Sequence, residues 1–421
     1  MVGFACSAAS DLPSGATSDG GPGSATQGDS NSSNPTPVPV ASASNALDAS
    51  SAGTSGADAS GRGGGPGKRG ADGGARVPVI DSGAAENVYS DGGYPTGWLY
   101  TSGNKIYLSN GGSSGTPWMG RGVNVDDIFF CGYDGTLWMT SPDQSLTTIV
   151  SGLISSWKPN FVRISLAMDS YPTVTSWLSN AAQYKTPMTN VINALGNDPK
   201  VHVLVTLRSD GSMIGQDMAD GDPEATGLPS DAASTPNAAT YPSGTDATYA
   251  ALVDTFANSS FVMFGIANEP GGNKLSNATI AAAMSHAVGV IRAEENRLGV
   301  PHHIVSVQGN GWTSDISFYA ASPIPYDNVV YEIHGYPPPA SAYTYSNIPV
   351  IIGEYGSLTS GTSATFYADL EAKQISNLAW DFDPYSDCSP DLLNVTSSAT
   401  GLSASSWGSI VQSYLLAHPS P

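Results

Sequence analysis

The first ninety residues lack the side chains that build a hydrophobic core. They contain hardly any aromatic or large aliphatic residue and consist mostly of Ser, Gly, Ala, Asp, Pro, Thr and Asn. Such a segment cannot bury enough apolar surface to offset its loss of conformational entropy on folding. We therefore expect residues 1–92 to form a disordered tether, and residues 93–421 to form one folded domain.

Basic residues are also scarce, because 15 Lys and Arg stand against 36 Asp and Glu, for a net charge of -21. A body this acidic is an unfavourable partner for nucleic acid and for anionic membrane surfaces. Only 12% of the residues are charged. This composition suits an extracellular protein that handles a neutral, hydroxyl-rich ligand, and we expect a monomer.

No apolar run approaches the roughly 20 residues that span a bilayer, so no transmembrane segment is predicted. The opening Met-Val-Gly-Phe-Ala-Cys-Ser resembles the end of a bacterial lipoprotein signal at Cys6. It has no basic region and almost no apolar region before that cysteine, so an arbitrary start, or one assigned too late, stays open. The expected location is secreted, or tethered to the cell surface through Cys6.

Eight short apolar runs alternate with segments of helical composition. The runs are 119–125, 160–165, 201–207, 261–267, 303–307, 329–333, 349–352 and 378–381, and the helical segments are 148–157, 174–195, 248–257, 277–298, 364–375 and 405–416. Eight strands alternating with helices predict an α/β fold, a (β/α)8 TIM barrel. A doubly wound sheet competes with it, but the Gly-rich stretch at 61–75 lies in the tether and does not match a phosphate-binding loop.

Two further segments shape this barrel. Residues 97–108 hold two aromatic and aliphatic runs around Ser-Gly-Asn, which predicts a small N-terminal β-hairpin that closes the bottom of the barrel. Residues 208–243 form a long loop after the third strand, and such loops usually border a substrate cleft.

The strand ends carry the chemistry, because they converge on one face of a barrel. They are Asn124, Arg163, Arg208, Asn268 with Glu269, residues 308–312 including Trp312, His334 with Tyr336, Glu354 and Trp380. Glycoside cleavage needs a proton for the leaving oxygen and a carboxylate near the anomeric carbon. Glu269 in Asn-Glu-Pro and Glu354 in Ile-Gly-Glu-Tyr-Gly follow strands four and seven, whose ends can face each other across the mouth.

These motifs, with Ile-His-Gly-Tyr after strand six and a Trp ending strand eight, resemble glycoside hydrolase family 5 over residues 97–418. The resemblance implies that Glu269 is the acid/base and Glu354 the nucleophile of a retaining enzyme. It also implies that Arg163 and the Tyr336 hydroxyl stabilise ionised Glu354, and that Asn268 binds the sugar 2-hydroxyl.

Among the remaining substrate-binding candidates, His334 is expected to contact the acid/base or the sugar, and Trp380 and Trp312 to stack on sugar rings. Asn124 ends strand one beside them. Many members of the family end strand three in a histidine, whereas this chain has Arg208, which puts the geometry of that subsite in doubt. Each short motif alone could be a plain turn, and Arg163 could be a structural ion-pair partner as well.

Cys131 follows strand one and Cys388 follows strand eight, and these strands are neighbours in a closed barrel. A disulfide between them would fasten both ends of the barrel, and two free thiols is the alternative. His302 and His303 point to opposite faces if they lie on a strand, so we predict no metal and no cofactor.

The predicted function of residues 93–421 is that of a catalytic domain, a cellulase-like endo-β-1,4-glucanase acting on a polysaccharide. Mannan or xyloglucan is the next substrate, which would make it a β-mannanase or another β-glycanase. A carbohydrate-binding barrel without catalysis is the alternative from another class, motivated by Arg208.

Overall fold

The computed structural model contains a closed barrel of eight parallel strands, as predicted. It describes residues 93–112, 114–125, 142–167, 177, 181–208, 245–270, 275–336, 345–356, 358–383, 390–394, 397 and 401–420. The predicted tether over 1–92, all three cysteines with the disulfide, and the loop after Arg208 lie outside these residues. Within the described part of the chain, no helix combines the length and apolar composition needed to cross a bilayer.

The barrel strands follow one another around the barrel in chain order. They are β4 (Arg121–Val125), β5 (Phe161–Ala167), β6 (His202–Arg208), β7 (Val262–Gly265), β8 (Val305–Val307), β9 (Val329–Gly335), β10 (Val350–Tyr355) and β11 (Ser376–Ala379). Closure comes from the pairing of β11 with β4, which aligns Leu378 with Gly122. Each predicted run thus yields a strand, and the eighth begins two residues earlier than predicted.

The described helices lie between the strands and after them. They are α1 (Pro142–Trp157), α2 (Thr186–Leu195), α3 (Thr245–Phe256), α4 (Asn277–Leu298), the short turns α5 (Asn310–Thr313) and α6 (Ser317–Ala321), α7 (Ser360–Lys373) and α8 (Ser406–Ala417), and a π-helical turn, Ala181–Lys185, precedes α2. The longest helix, α4, is capped by the Ser276 side chain, which accepts from the Thr279 amide, and it ends at left-handed Gly299.

A small antiparallel sheet precedes the barrel, with β1 (Leu99–Ser102), β2 (Lys105–Ser109) and β3 (Gly115–Pro117). The first two strands are the predicted hairpin, and the third was not predicted. Leu99 and Ile106 pack with Trp118 in an apolar cluster that contains the first inward residues of the barrel strands, such as Phe161 and Leu204. The sheet therefore covers the end of the barrel at which the strands begin, as expected.

Alternation along each strand sorts the side chains into layers. In β5, Val162 and Ile164 point outward into the core against the helices, whereas Phe161 belongs to the inner apolar cluster. Two residues further along, the inward position of β5 is Arg163, which is fully buried. An apolar layer near the bottom thus gives way to a polar layer nearer the mouth, and that polar layer supports the candidate site.

Candidate active site

Arg163 lies at the centre of the polar layer and contacts side chains from five other strands or strand ends. Its Nη1 donates to Glu354 Oε1 at 2.8 Å and to Asn124 Oδ1 at 3.0 Å. Its Nη2 donates to Asn268 Oδ1 at 2.6 Å. The Nε donates to Thr206 Oγ1 at 3.1 Å and lies 3.2 Å from Glu332 Oε1. Since the guanidinium is buried, these bonds replace its hydration and fix its plane.

Glu354 is held at both carboxylate oxygens. Oε1 accepts from Arg163, and Oε2 accepts from the Tyr336 hydroxyl at 2.9 Å. His334 lies beside it on the adjacent strand, with Nδ1 3.5 Å from Oε1. Burial around the hydroxyl end of Tyr336, and then the charges of Glu354 and Glu269, raise its pKa well above the ordinary value, although 42% of the residue as a whole is exposed. The phenol therefore keeps its proton and remains a donor to Glu354.

The backbone of β10 bulges immediately before Glu354. Ile352 pairs with Ile333 and Glu354 pairs with His334, so one extra residue, Gly353, is inserted in β10. A Cβ on Gly353 would lie 1.9 Å from Glu332 Oε1. The Gly353 carbonyl accepts from Asn124 Nδ2 at 2.9 Å. Only glycine fits this position, and the bulge turns the following carboxylate toward Arg163.

Glu269 approaches the same point from the end of β7. Its Oε1 lies 3.0 Å from His334 Nδ1, and its side chain is 15% exposed. Ala267 and Glu269 both have left-handed φ values, +59° and +47°, which are uncommon for residues with a Cβ. The Ala267 amide donates to the Tyr249 hydroxyl at 3.3 Å. The chain is thus held in an unusual turn that points Glu269 across the mouth toward Glu354.

His334 joins the two glutamates to a third one. Its Nε2 bonds to Glu332 Oε1 at 2.9 Å, while Ser306 Oγ donates to Glu332 Oε2 at 2.7 Å. Burial alone would lower the pKa of His334, but the charge of Glu354 and the bonds to Glu269 and Glu332 raise it to about 9. Burial alone would raise the pKa of Glu332, but the charge of Arg163 and the bond to His334 lower it to about 2. At neutral pH the imidazole is therefore cationic and Glu332 anionic.

Ligand atoms of Glu269, His334 and Glu354 all lie within 4.8 Å of one another, which is close enough to hold a metal ion. The cationic imidazole and the guanidinium of Arg163 oppose a second cation at that position. His302 and His303, the other histidine pair, precede β8 and do not lie in a strand, and they have different partners: His302 bonds to Asp327, and His303 to Glu295. The absence of a metal requirement stays a prediction.

The aromatic candidates differ in exposure. Trp312 is 45% exposed and Tyr336 42%, whereas Trp380 is only 5% exposed. Trp312 has a left-handed φ of +52° within α5, and Trp380 follows β11 with its carbonyl accepting from Trp407 Nε1 at 3.0 Å. Arg208 is the last residue of β6, but its side chain lies outside the described part of the chain.

Hydrogen bonds and ion pairs thus connect seven of the predicted site residues into one network, namely Asn124, Arg163, Asn268, Glu269, His334, Tyr336 and Glu354. Sequence reasoning missed Glu332, Thr206 and Ser306, which support the network from below. A signal for Glu332 was present, since an acidic residue inside an apolar run, two positions before His334, shares the inward face of the strand.

The sequence matches a known protein family. The family model described as Cellulase (glycosyl hydrolase family 5) matches residues 119–386. A comparison with curated protein sequences finds no significant match.

Similar solved structures include a β-glucanase from Saccharophagus degradans in complex with cellotetraose, with 17% identity, a TM-score of 0.56 and coverage of 79% of this chain and 96% of that one. A β-mannanase from Streptomyces thermolilacinus with mannohexaose has 19% identity, a TM-score of 0.53 and coverage of 77% and 96%. The mannanase catalytic domain from Streptomyces sp. SirexAA-E has 21% identity, a TM-score of 0.53 and coverage of 81% and 97%. At these identities the likeness establishes the fold.

Proposed function

The chain belongs to glycosyl hydrolase family 5 and is a glycoside hydrolase, and we propose that it cleaves β-1,4-linked glucan by a double displacement that retains the anomeric configuration. The observation that carries this proposal is the approach of two carboxyl groups at the barrel mouth. One carboxylate oxygen of Glu269 lies within 4.8 Å of one carboxylate oxygen of Glu354. Retaining enzymes hold their two carboxyl groups about 5 to 5.5 Å apart, whereas inverting enzymes need room for a water between them.

Glu354 is the nucleophile in this proposal. Arg163 and Tyr336 each donate to one of its oxygens, and these two bonds hold the carboxylate in a fixed orientation for attack. Asn268 supports the same step. Because its Oδ1 accepts from Arg163, its Nδ2 is the group that can donate to the sugar 2-hydroxyl, a contact that strengthens in the transition state.

Glu269 is the acid/base, and the charge balance of the network supports that role. With Glu269 protonated, two positive groups, Arg163 and His334, are paired with two carboxylates, Glu332 and Glu354. When Glu354 forms the glycosyl ester it loses its negative charge. Glu269 gains one as it delivers its proton to the leaving oxygen, so the network stays neutral through the step. Ionised Glu269 then takes a proton from the water that hydrolyses the ester.

A panel of soluble polysaccharides tests the proposal. The wild-type protein should release reducing ends from carboxymethylcellulose or mixed-linkage β-glucan, and Glu354→Gln should not. Glu371→Gln serves as the matched control, since Glu371 pairs with Arg121 away from the network. The first product, followed by proton NMR, should be the β-anomer. An α-anomer as the first product would contradict the retaining mechanism.

β-Mannan is the second candidate substrate, because two of the similar structures are mannanases. Faster release from galactomannan than from any glucan would assign that activity instead. Binding without turnover across the whole panel would favour the carbohydrate-binding barrel. Defined oligosaccharides of both types would report the linkage and the position of cleavage together.

We further propose an extracellular location, either secreted or tethered through a lipid on Cys6, on the basis of the neutral polar composition and the Ser/Gly-rich segment after Cys6. Incorporation of labelled palmitate that Cys6→Ser abolishes would identify the tethered form.

Peptide mapping without reductant tests the proposed Cys131–Cys388 disulfide, and labelling of both thiols in that experiment would contradict it.

A further inference from the structure

Gln308 lies directly beneath the acid/base. It follows β8 and is fully buried. Its Oε1 accepts from the Glu269 backbone amide at 2.6 Å and from the Thr313 hydroxyl at 3.0 Å. The Gln308 carbonyl in turn accepts from the Tyr319 hydroxyl at 2.9 Å. Gln308 is thus held at its backbone carbonyl and at its side-chain amide. Its side chain links the segment after β8 to the segment after β7.

The orientation of the Gln308 amide follows from its partners. A backbone N–H can only donate, so the atom that faces Glu269 must be the oxygen. The Nε2 group has no hydrogen-bond partner within the described residues, although it is buried. A buried amide donor without a partner carries a free-energy cost, so a residue chosen only for packing would be apolar. The bond to the Glu269 amide accounts for a polar residue at this position.

Glu269 needs such support because its backbone is strained. A residue with a Cβ is strained in the left-handed region and stays there only where its surroundings fix it. The φ of Glu269 is +47°. Rotation out of this conformation would swing the carboxyl group away from His334, which lies 3.0 Å from its Oε1. The Gln308 bond opposes that rotation at the Glu269 amide itself.

We propose that Gln308 is a positioning residue for the general acid/base, which fixes the Glu269 backbone so that its carboxyl group meets the glycosidic oxygen. The inference rests on the proposed function of Glu269. Gln308 does not touch the reacting atoms and acts through Glu269 alone. Its loss should therefore impair proton delivery more than it impairs attack by Glu354.

Substrates with different leaving groups separate these two effects. Cleavage between sugars expels a poor leaving group that needs a proton, whereas a 2,4-dinitrophenyl glycoside expels a phenolate that needs none. For Gln308→Met we expect kcat/KM on an oligosaccharide to fall about 10- to 100-fold, by analogy with a misplaced catalytic group. On the dinitrophenyl glycoside, kcat/KM should fall less than about threefold. The ratio of the two values in one sample is independent of the folded fraction.

Thr313→Val is the matched control, because it removes the other donor to the same Gln308 oxygen and leaves the Glu269 bond in place. Its ratio of kcat/KM values should equal that of the wild type. Gln308→Glu keeps an acceptor oxygen and should recover most of the lost ratio. A ratio in Gln308→Met that matches the ratio in Thr313→Val would overturn the proposal.

Hydrogen exchange of the Glu269 amide tests the same contact without any turnover. We expect exchange to be about tenfold faster in Gln308→Met, the equivalent of one lost hydrogen bond, and unchanged in Thr313→Val. A wild-type protein that is inactive on all substrates would contradict the proposed function. In that case, faster exchange in Gln308→Met alone would still support the role of Gln308 in fixing the Glu269 backbone. Equal rates in both variants would refute it.

Discussion

Replacing Glu332 with glutamine removes a charge at the centre of the polar layer while keeping the shape of the side chain. Glu332 is fully buried. Its Oε1 lies 3.2 Å from Arg163 Nε and 2.9 Å from His334 Nε2, and its Oε2 accepts from Ser306. Glutamine can still accept from His334, but it gives Arg163 no opposite charge. The variant therefore isolates the electrostatic contribution of Glu332.

The size of that contribution follows from the pKa of Glu332. Burial alone would raise it, but the charge of Arg163 and the bond to His334 lower it from 4.5 to about 2. One pKa unit corresponds to about 1.4 kcal/mol, so ionised Glu332 contributes about 3 kcal/mol to the free energy of unfolding at neutral pH. Because the folded pKa is the lower one, this contribution is complete above about pH 5 and disappears as the pH falls toward about 2.

Urea unfolding followed by tryptophan fluorescence measures the effect. We expect Glu332→Gln to be less stable than the wild type by about 3 kcal/mol at neutral pH, with a difference that shrinks steadily below about pH 4.5. Glu371→Gln should show a smaller loss, because Glu371 and Arg121 are partly exposed and exposed pairs are screened by water. A wild-type advantage over Glu332→Gln that stays constant from neutral pH to about pH 3 would refute the reasoning.

Three further variants test other contacts of the site. Gly353→Ala should lower the free energy of unfolding by about 1–3 kcal/mol or more, because its Cβ would lie 1.9 Å from Glu332 Oε1, and an unchanged calorimetric Tm would contradict this. His334→Gln should lower the free energy of unfolding below about pH 6.5, because the pKa of the wild-type imidazole is raised to about 9. The difference from the wild type should vanish as the pH rises through about 9, and a difference that grows with pH would contradict this. Tyr336→Phe removes the donor 2.9 Å from Glu354 Oε2, so kcat should fall about a hundredfold with little change in Tm, and equal turnover would exclude the proposed role of the hydroxyl.

Strand periodicity made the barrel predictable, because eight apolar runs separated by helical segments admit few other folds. The boundaries were less predictable, since local capping determines them. The helix predicted over 364–375 begins at Ser360, because Thr359 and Thr362 form a capping box before it. The first helix begins at Pro142 rather than at 148, where proline suits the first turn.

The site was predictable where a residue ends a strand and carries a reactive group. Glu269 and Glu354 satisfy both conditions. Glu332 does not end its strand, and only counting back by two from His334 would have placed it on the same face. The bulge at Gly353 and the bond from Gln308 to the Glu269 amide depend on register and backbone angles. These features arise from tertiary contacts that no local pattern encodes.

The buried guanidinium of Arg163 has a consequence for how this scaffold can change. Besides its own strand, it bonds to or pairs with residues on or just after five others, namely Asn124, Thr206, Asn268, Glu332 and Glu354. All five of these partners lie on barrel strands or directly after them. We therefore expect an exchange of one loop above the mouth to leave these five contacts of Arg163 in place. Arg163 thus makes this chain suitable for loop exchanges that aim to change the substrate while keeping the residues that cleave the bond.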